Sequence, residues 1–424
     1  MLYFATEHSV LTTGTKAPHS PEIVLPKAAF EALKAYALRN DAEPALRFFI
    51  QRGRPCLRVE ACVGLLRANE QVSIEILPKI TTDWSSESVR SARIALLRML
   101  QAVPELFPRV LPEARLSQLA GLPLPEVLAE LFVEKAGALI HRGLRSSYER
   151  VATQLPFVKG KLQTHRRPWQ LLTHPDRLPV VLDERTRHNA PNRLLKACLH
   201  QLKKGPHARQ VQQYLFTLDD IAATTDWRAD LATAKNHSRS FLSYTWLWPW
   251  TEWLLGGKAP GVSEGRTTLP GLLFPTQTLF ESYVAASFQQ HLPPNFDVRV
   301  QESAHHLLYD PVGKPAYRLR PDVVIRRGND VWVLDTKWKT IRGNERQVAQ
   351  ISQSDLYQLY AYGQRYVGSA GKVRLGLIYP QTPDFKVAPP PYAYEPHLPL
   401  YLLPADLSVS ASQMVEQLWE GLGD

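Results

Sequence analysis

The stretch RLRPDVVIRRGNDVWVLDTKWK, from Arg318 to Lys339, constrains the chain more than any other. Val323, Val324 and Ile325 make one apolar run and Val331, Trp332, Val333 and Leu334 a second. Gly328-Asn329-Asp330 supplies a tight turn between them, so the stretch predicts a β-hairpin. Asp322 heads the first strand. Asp335 and Lys337 lie two apart at the end of the second, which points both side chains from one face of the sheet. Two carboxylates and an ammonium gathered at the end of an apolar hairpin are costly unless something uses them. A divalent cation with a phosphodiester beside it is the obvious user, since Mg²⁺ or Mn²⁺ is held by one or two carboxylates and keeps sites open for water. Asp322 and Asp335 fit as metal ligands, with help from the backbone carbonyl of Thr336. Lys337 then faces the attacking water or a phosphate oxygen. The bland alternative is an Asp–Lys surface pair at strand ends.

The flanks of the hairpin add to the set. Leu279, Phe280, Val284, Phe288 and Leu292 share a helix with Glu281, a third candidate carboxylate for the metal. A strand, FDVRVQES, follows. After the hairpin comes a helix expected from about Glu345 to Tyr366, on which Gln358 and Tyr362 are four apart and share a face, placed to support the lysine or touch a phosphate. Strands VRLGLIYP and LPLYLLP and a terminal helix complete an αβββαβ layout on a mixed sheet. Asp355 on the later helix reads equally as an extra acid or a helix-face charge. His305-His306 lack a nearby Cys or Asp-x-His partner and read as ordinary strand residues.

The rest of the 424-residue chain is too long for one core and predicts an α+β / α/β multi-domain protein. Residues 1–83 read as a β-rich N-terminal domain, because Val72, Ile74 and Ile76 alternate with polar residues. Residues 84–256 read as a helical middle region, beginning with a helix capped by Ser85 or Ser86. Residues 257–271 read as a linker and 272–424 as the C-terminal domain. The tryptophan-rich segment Phe241 to Gly257 is expected to fill an interdomain core, because leucines rather than cations interleave with it. A net charge of +10 favours a polyanionic partner without establishing one. With no run of apolar residues long enough for a membrane span and no signal-peptide pattern at the start, a cytoplasmic location is expected. Three cysteines form neither a disulfide framework nor a zinc site. No Gly-x4-Gly-Lys-[Ser/Thr] motif is present, so the chain is expected to bind no nucleotide itself.

Pro321-Asp322 with Asp335-Thr336-Lys337 resembles the PD-(D/E)xK nuclease core, and Gln358-x3-Tyr362 resembles the motif of its RecB-like branch. IEILPKI (74–80), RGLRSSY (142–148), LPFVKGKL (155–162), NAPNRLLKACL (189–199), LFESYVA (279–285) and DLYQLYAYG (355–363) are similar, in that order, to segments of the McrC family. That resemblance implies the nuclease subunit of a modification-dependent restriction system, cutting double-stranded DNA with Mg²⁺ through a PD-(D/E)xK domain. It also implies an N-terminal part, here residues 1–83, that docks on a McrB-like AAA+ GTPase hexamer and stimulates it. Two alternatives stay open: a non-cleaving activator that plugs the ring, and a stand-alone repair nuclease.

Overall fold

Every residue of Val373–Pro380 is buried, as a strand apolar but for Arg374 should be when it is covered on both faces. In the computed structural model this strand sits inside a six-stranded sheet ordered Asp297–Val300, Val323–Arg327, Asp330–Thr336, Val373–Pro380, Leu398–Ala405, Tyr392–Glu395. The structure describes all residues except 15–21, 39–44, 70, 81–84, 104–110, 164–175, 237, 257–270, 342–350, 369 and 424. The expected hairpin forms with Val323 opposite Leu334 and Arg327 opposite Asp330. Asp330, expected in the turn, therefore opens the second strand, and Gly328 takes the positive φ of +60° that the tight turn requires. The second hairpin strand runs parallel to Val373–Pro380, and that strand parallel to Leu398–Ala405, giving a mixed sheet.

Helix Gln353–Gly363 covers this sheet through Leu359 and Tyr362, which join Val324, Val333, Leu375, Leu377 and Leu402 in one core. The first part of the helix expected from Glu345 lies outside the described residues. Helix Thr276–His291 carries Phe280, Val284 and Phe288 as buried residues and Glu281 at intermediate exposure. A two-stranded ribbon, His306–Tyr309 with Pro315–Arg318, precedes the hairpin and has no counterpart in the sequence expectation.

Residues 1–80 form two four-stranded sheets, Leu2–Thr6, Ser73–Leu77, Cys62–Arg67, Gly271–Pro275 and Ile23–Val24, Val10–Thr12, Arg54–Val59, Leu46–Gln51. The last strand of the first sheet comes from the far end of the chain. Gly64 admits it: its φ is +126°, and a Cβ there would stand 2.1 Å from the Leu272 carbonyl oxygen. Residues 1–124 and 258–424 accordingly make one compact unit, and residues 125–257 make another. The linker expected over 257–271 lies outside the described residues except Gly271, which begins that strand. Within the first unit Arg93 reaches Glu75 through two hydrogen bonds of 2.7 and 3.1 Å, and Arg98 donates to the Leu407 carbonyl at 2.6 Å.

The second unit holds helices Ala190–Gln201, Ala208–Thr217, Trp227–Asn236 and Leu247–Gly256 and nearly all of Leu124–His141. It also holds a three-stranded sheet, Ser147–Leu155, Leu178–Thr186, Lys161–Leu162, in a region read as helical. The strand SYERVATQL has no fully buried position, so it lacks the apolar alternation that would have signalled it. Trp248 and Trp250 are buried, and Phe132 meets Trp250 at 5.4 Å between ring centroids. The tryptophan cluster thus belongs to this unit's own core.

Candidate active site

The hairpin brings its acids and its lysine together at one end. Asp335 is 3% exposed, and the Lys337 ammonium lies 2.5 Å from its Oδ2. That oxygen is fully buried and, among the described residues, has no hydrogen-bond partner of good geometry besides this ion pair. Asp322, at the head of the partner strand, accepts on Oδ2 from both the Thr336 amide at 2.6 Å and the Thr336 hydroxyl at 2.7 Å. Thr336 is thereby a clamp between the two strands. Its carbonyl accepts from Gln277 Nε2 at 2.8 Å.

Burial raises both carboxylic acids, to about 6. Repulsion from Glu281 adds to the effect at Asp322, and repulsion from Asp322 adds to it at Asp335. The two acids titrate as a pair. Burial by itself would lower Lys337, but the adjacent Asp335 charge overrides it and holds the ammonium above its ordinary value.

Helix Gln353–Gly363 supplies the support expected of it. Gln358 Oε1 accepts from Lys337 Nζ at 3.3 Å, and Gln358 Nε2 donates to the Tyr362 hydroxyl at 2.6 Å. The i, i+4 spacing puts both on one face toward the lysine. Glu281 stands near Asp322, with its Oε1 accepting from Gln301 Nε2 at 2.5 Å, and Gln301 in turn accepts from Arg320. Among the described residues no group of three or more His, Cys, Asp or Glu side chains is arranged to hold a metal ion. The acids that act on Lys337 are Asp335, then Asp355, then Asp322, with Glu281 within electrostatic reach of Asp322. Asp355 pairs with Lys339 at 2.5 Å. His305 stacks edge-on against Tyr366 at 4.8 Å.

Three residues at the site had no signal in the sequence. Gln277 bridges the hairpin end, donating to the Thr336 carbonyl and accepting from the Trp338 amide at 2.6 Å. Gln301 holds Glu281. Glu7, from the start of the chain, accepts from Trp338 Nε1 at 2.8 Å. The site is therefore not confined to the final third of the chain.

Comparison with known proteins gives a consistent picture. A family model described as McrBC 5-methylcytosine restriction system component matches residues 57–380. The fold is similar to a chain of the refined half-complex from the tetradecameric assembly of Thermococcus gammatolerans McrB AAA+ hexamers with bound McrC. The TM-score there is 0.69 at 17% identity, over 99% of each chain. A chain of the cryo-EM structure of the Thermococcus gammatolerans McrBC complex matches with a TM-score of 0.51 at 16% identity, over 69% of this chain and 88% of that one. No curated protein sequence matches.

Proposed function

The chain belongs to the family of McrBC 5-methylcytosine restriction system components, and from that premise we propose that it is the DNA-cutting subunit of such a system, a Mg²⁺- or Mn²⁺-dependent endonuclease of the PD-(D/E)xK type. The observation that carries this is the state of Asp335: a buried carboxylate oxygen paired with a lysine and otherwise unsatisfied among the described residues, beside a second, half-buried acid. Burial has made both acids expensive to ionise, and a divalent cation is what restores the ionised pair. A two-carboxylate donor set fits Mg²⁺, which takes one or two carboxylates and completes its shell with water and substrate phosphate. Asp322 and Asp335 would hold the metal, with the Thr336 carbonyl, which also accepts from Gln277, as the backbone ligand and Glu281 behind Asp322. The metal, when bound, supplies charge stabilisation at the phosphorus and an acidified water.

The protein's own groups do the rest. Thr336 fixes Asp322 so that its carboxylate does not have to reorganise. Lys337 keeps its proton because Asp335 lies beside it, and presents a fixed positive charge where charge builds on the phosphate oxygens. Gln358 turns its carbonyl oxygen to the ammonium and is itself held by Tyr362, so the lysine is aimed as well as charged.

The partner is proposed to be a McrB-like AAA+ GTPase ring, on the strength of family membership and of a fold match that runs the full length of both chains. Its docking element is proposed on residues 1–83, as the family resemblance implies, where Leu38 and Ile50 stand exposed; Tyr148, Phe157 and Val158 give the second unit an exposed apolar surface as well. Among the described residues no helix is long and apolar enough to cross a membrane.

The test is cleavage of methylated and unmethylated plasmid by the purified chain, alone and with the ring, GTP and Mg²⁺. Cutting is expected only with the full mixture, and Asp335→Ala or Lys337→Ala should abolish it while the complex still assembles. If the wild-type chain stimulates GTP hydrolysis yet cuts nothing under any divalent metal or DNA modification, it is an activating plug and not a nuclease.

A further inference from the structure

We propose that Glu7 is a positioning residue for Lys337, through which the turn after the first strand sets the geometry of the cutting site; this rests on the nuclease assignment above. Glu7 is 2% exposed and 331 residues ahead of Trp338. It accepts three hydrogen bonds from three separate segments: Thr276 Oγ1 at 2.5 Å, Trp338 Nε1 at 2.8 Å and the Lys79 amide at 3.2 Å. A carboxyl this deep is costly to bury and has to be compensated by its donors.

Two of those donors flank the site directly. Thr276 is the first residue of helix Thr276–His291, and the next residue, Gln277, grips the hairpin end at the Thr336 carbonyl and the Trp338 amide. Trp338 is the residue after Lys337. Its backbone is held by Gln277, its ring lies edge-on to Phe280 at 5.2 Å, and its indole N–H is held by Glu7. On its other side the Lys337 amide is fixed to the Ile378 carbonyl at 2.8 Å. Lys337 thus leaves a backbone pinned from both sides, and the pin on the Trp338 side ends in Glu7.

Without Glu7 the indole N–H loses its acceptor and Thr276 loses its tie, so Trp338 has reason to turn and carry Lys337 with it. An error of about 1 Å in a catalytic group costs on the order of 10²-fold in rate. Glu7 bonds to Thr276, Trp338 and the Lys79 amide and to neither acid, so the loss should fall on kcat.

The experiment compares Glu7→Ala, Glu7→Gln, Trp338→Phe and the double variant Glu7→Ala/Trp338→Phe, each assembled with the ring, with Asp335→Ala as reference. Glu7→Ala and Trp338→Phe are expected to lower kcat roughly 10–100-fold, leaving KM for DNA within about twofold. The double variant should be no worse than either single one. Glu7→Gln keeps an oxygen acceptor for the indole and should recover most of the rate. Independently of turnover, the metal-free chain should show an indole N–H resonance that Trp338→Phe removes and Glu7→Ala shifts, while calorimetric Mg²⁺ affinity stays unchanged. If Glu7→Ala fails to fold, Trp338→Phe and Glu7→Gln carry the same comparison. Wild-type kcat in Trp338→Phe and Glu7→Ala with a dead Asp335→Ala overturns the role of Glu7 and leaves the nuclease intact. A loss in KM or metal affinity in place of kcat overturns it too. Full cutting by Asp335→Ala sinks the site itself, and the inference with it.

Discussion

Two buried acid–base pairs, each joining a strand residue to a neighbouring cation, show what separates structure from site in this protein. Glu75 and Arg93 are fully engaged: the guanidinium spans both carboxylate oxygens, and its third nitrogen donates to the Ala120 carbonyl at 2.8 Å. Asp335 and Lys337 are not. One buried oxygen meets one ammonium, a second acid stands close enough to repel, and Lys337 keeps 15% of its side chain exposed. The first pair is closed and has nothing left to bind. The second lacks one positive charge, and that deficit points to a ligand.

The largest effect that can break this comparison comes from deleting one acid of each pair. Glu75→Ala strands a buried guanidinium and should cost on the order of 3–5 kcal/mol in denaturant unfolding. Asp335→Ala removes repulsion from Asp322 and should leave stability level or higher, while lowering cleavage by at least ~10³-fold, as expected for groups that act as a unit. If Asp335→Ala destabilises as much as Glu75→Ala, the second pair is structural and the distinction falls.

The hairpin and its three charged residues were legible because all of their information is local. Two continuous apolar runs, a Gly-Asn turn and residues at strand ends fix Asp322, Asp335 and Lys337 without knowledge of the rest. Gln358 and Tyr362 were legible for the same reason at helical spacing. Glu7, Gln277 and Gln301 were not, because their roles arise from contacts between distant segments, and a glutamine or glutamate in isolation carries no periodic signal. The pairing of Gly271–Pro275 with Cys62–Arg67 was hidden likewise: it depends on Gly64 admitting a strand from the other end of the chain. The sheet of the second unit was missed because Ser147–Leu155 is mostly exposed and polar and Leu178–Thr186 runs from a continuous apolar stretch into a charged one, so no alternation marks either.

A smaller effect sharpens the electrostatic half of the comparison. Asp322 and Asp335 are held above their unfolded value of 3.8, at about 6, so the folded protein keeps protons that the unfolded chain has released. Stability from this pair is therefore full below about pH 4 and is lost as pH rises toward 6, a decline on the order of 1–3 kcal/mol for the coupled pair. Melting curves of the metal-free protein across that window should show it, and Asp335→Asn should remove the share of Asp335 and leave that of Asp322, which burial and Glu281 raise. Mg²⁺ added above pH 6 should restore the lost stability in the wild type only. An equal response to Mg²⁺ in Asp335→Asn would place the cation elsewhere.

The smallest effect concerns how firmly the open pair is aimed. The Lys337–Gln358 hydrogen bond is 3.3 Å long, against 2.5 Å for the contact with Asp335. Gln358 therefore steers an ammonium whose place is already set mostly by charge. Gln358→Ala should reduce cleavage roughly 3–10-fold, as an interaction worth about 1 kcal/mol would. Tyr362→Phe removes only the partner that orients the glutamine amide, and its rate should fall by about twofold, within the range of one neutral hydrogen bond. Parallel rate measurements give the ranking Lys337→Ala, Gln358→Ala, Tyr362→Phe. A loss in Gln358→Ala as deep as that in Lys337→Ala would mean that the glutamine touches the phosphate itself, and the aiming role would pass to Asp335 alone.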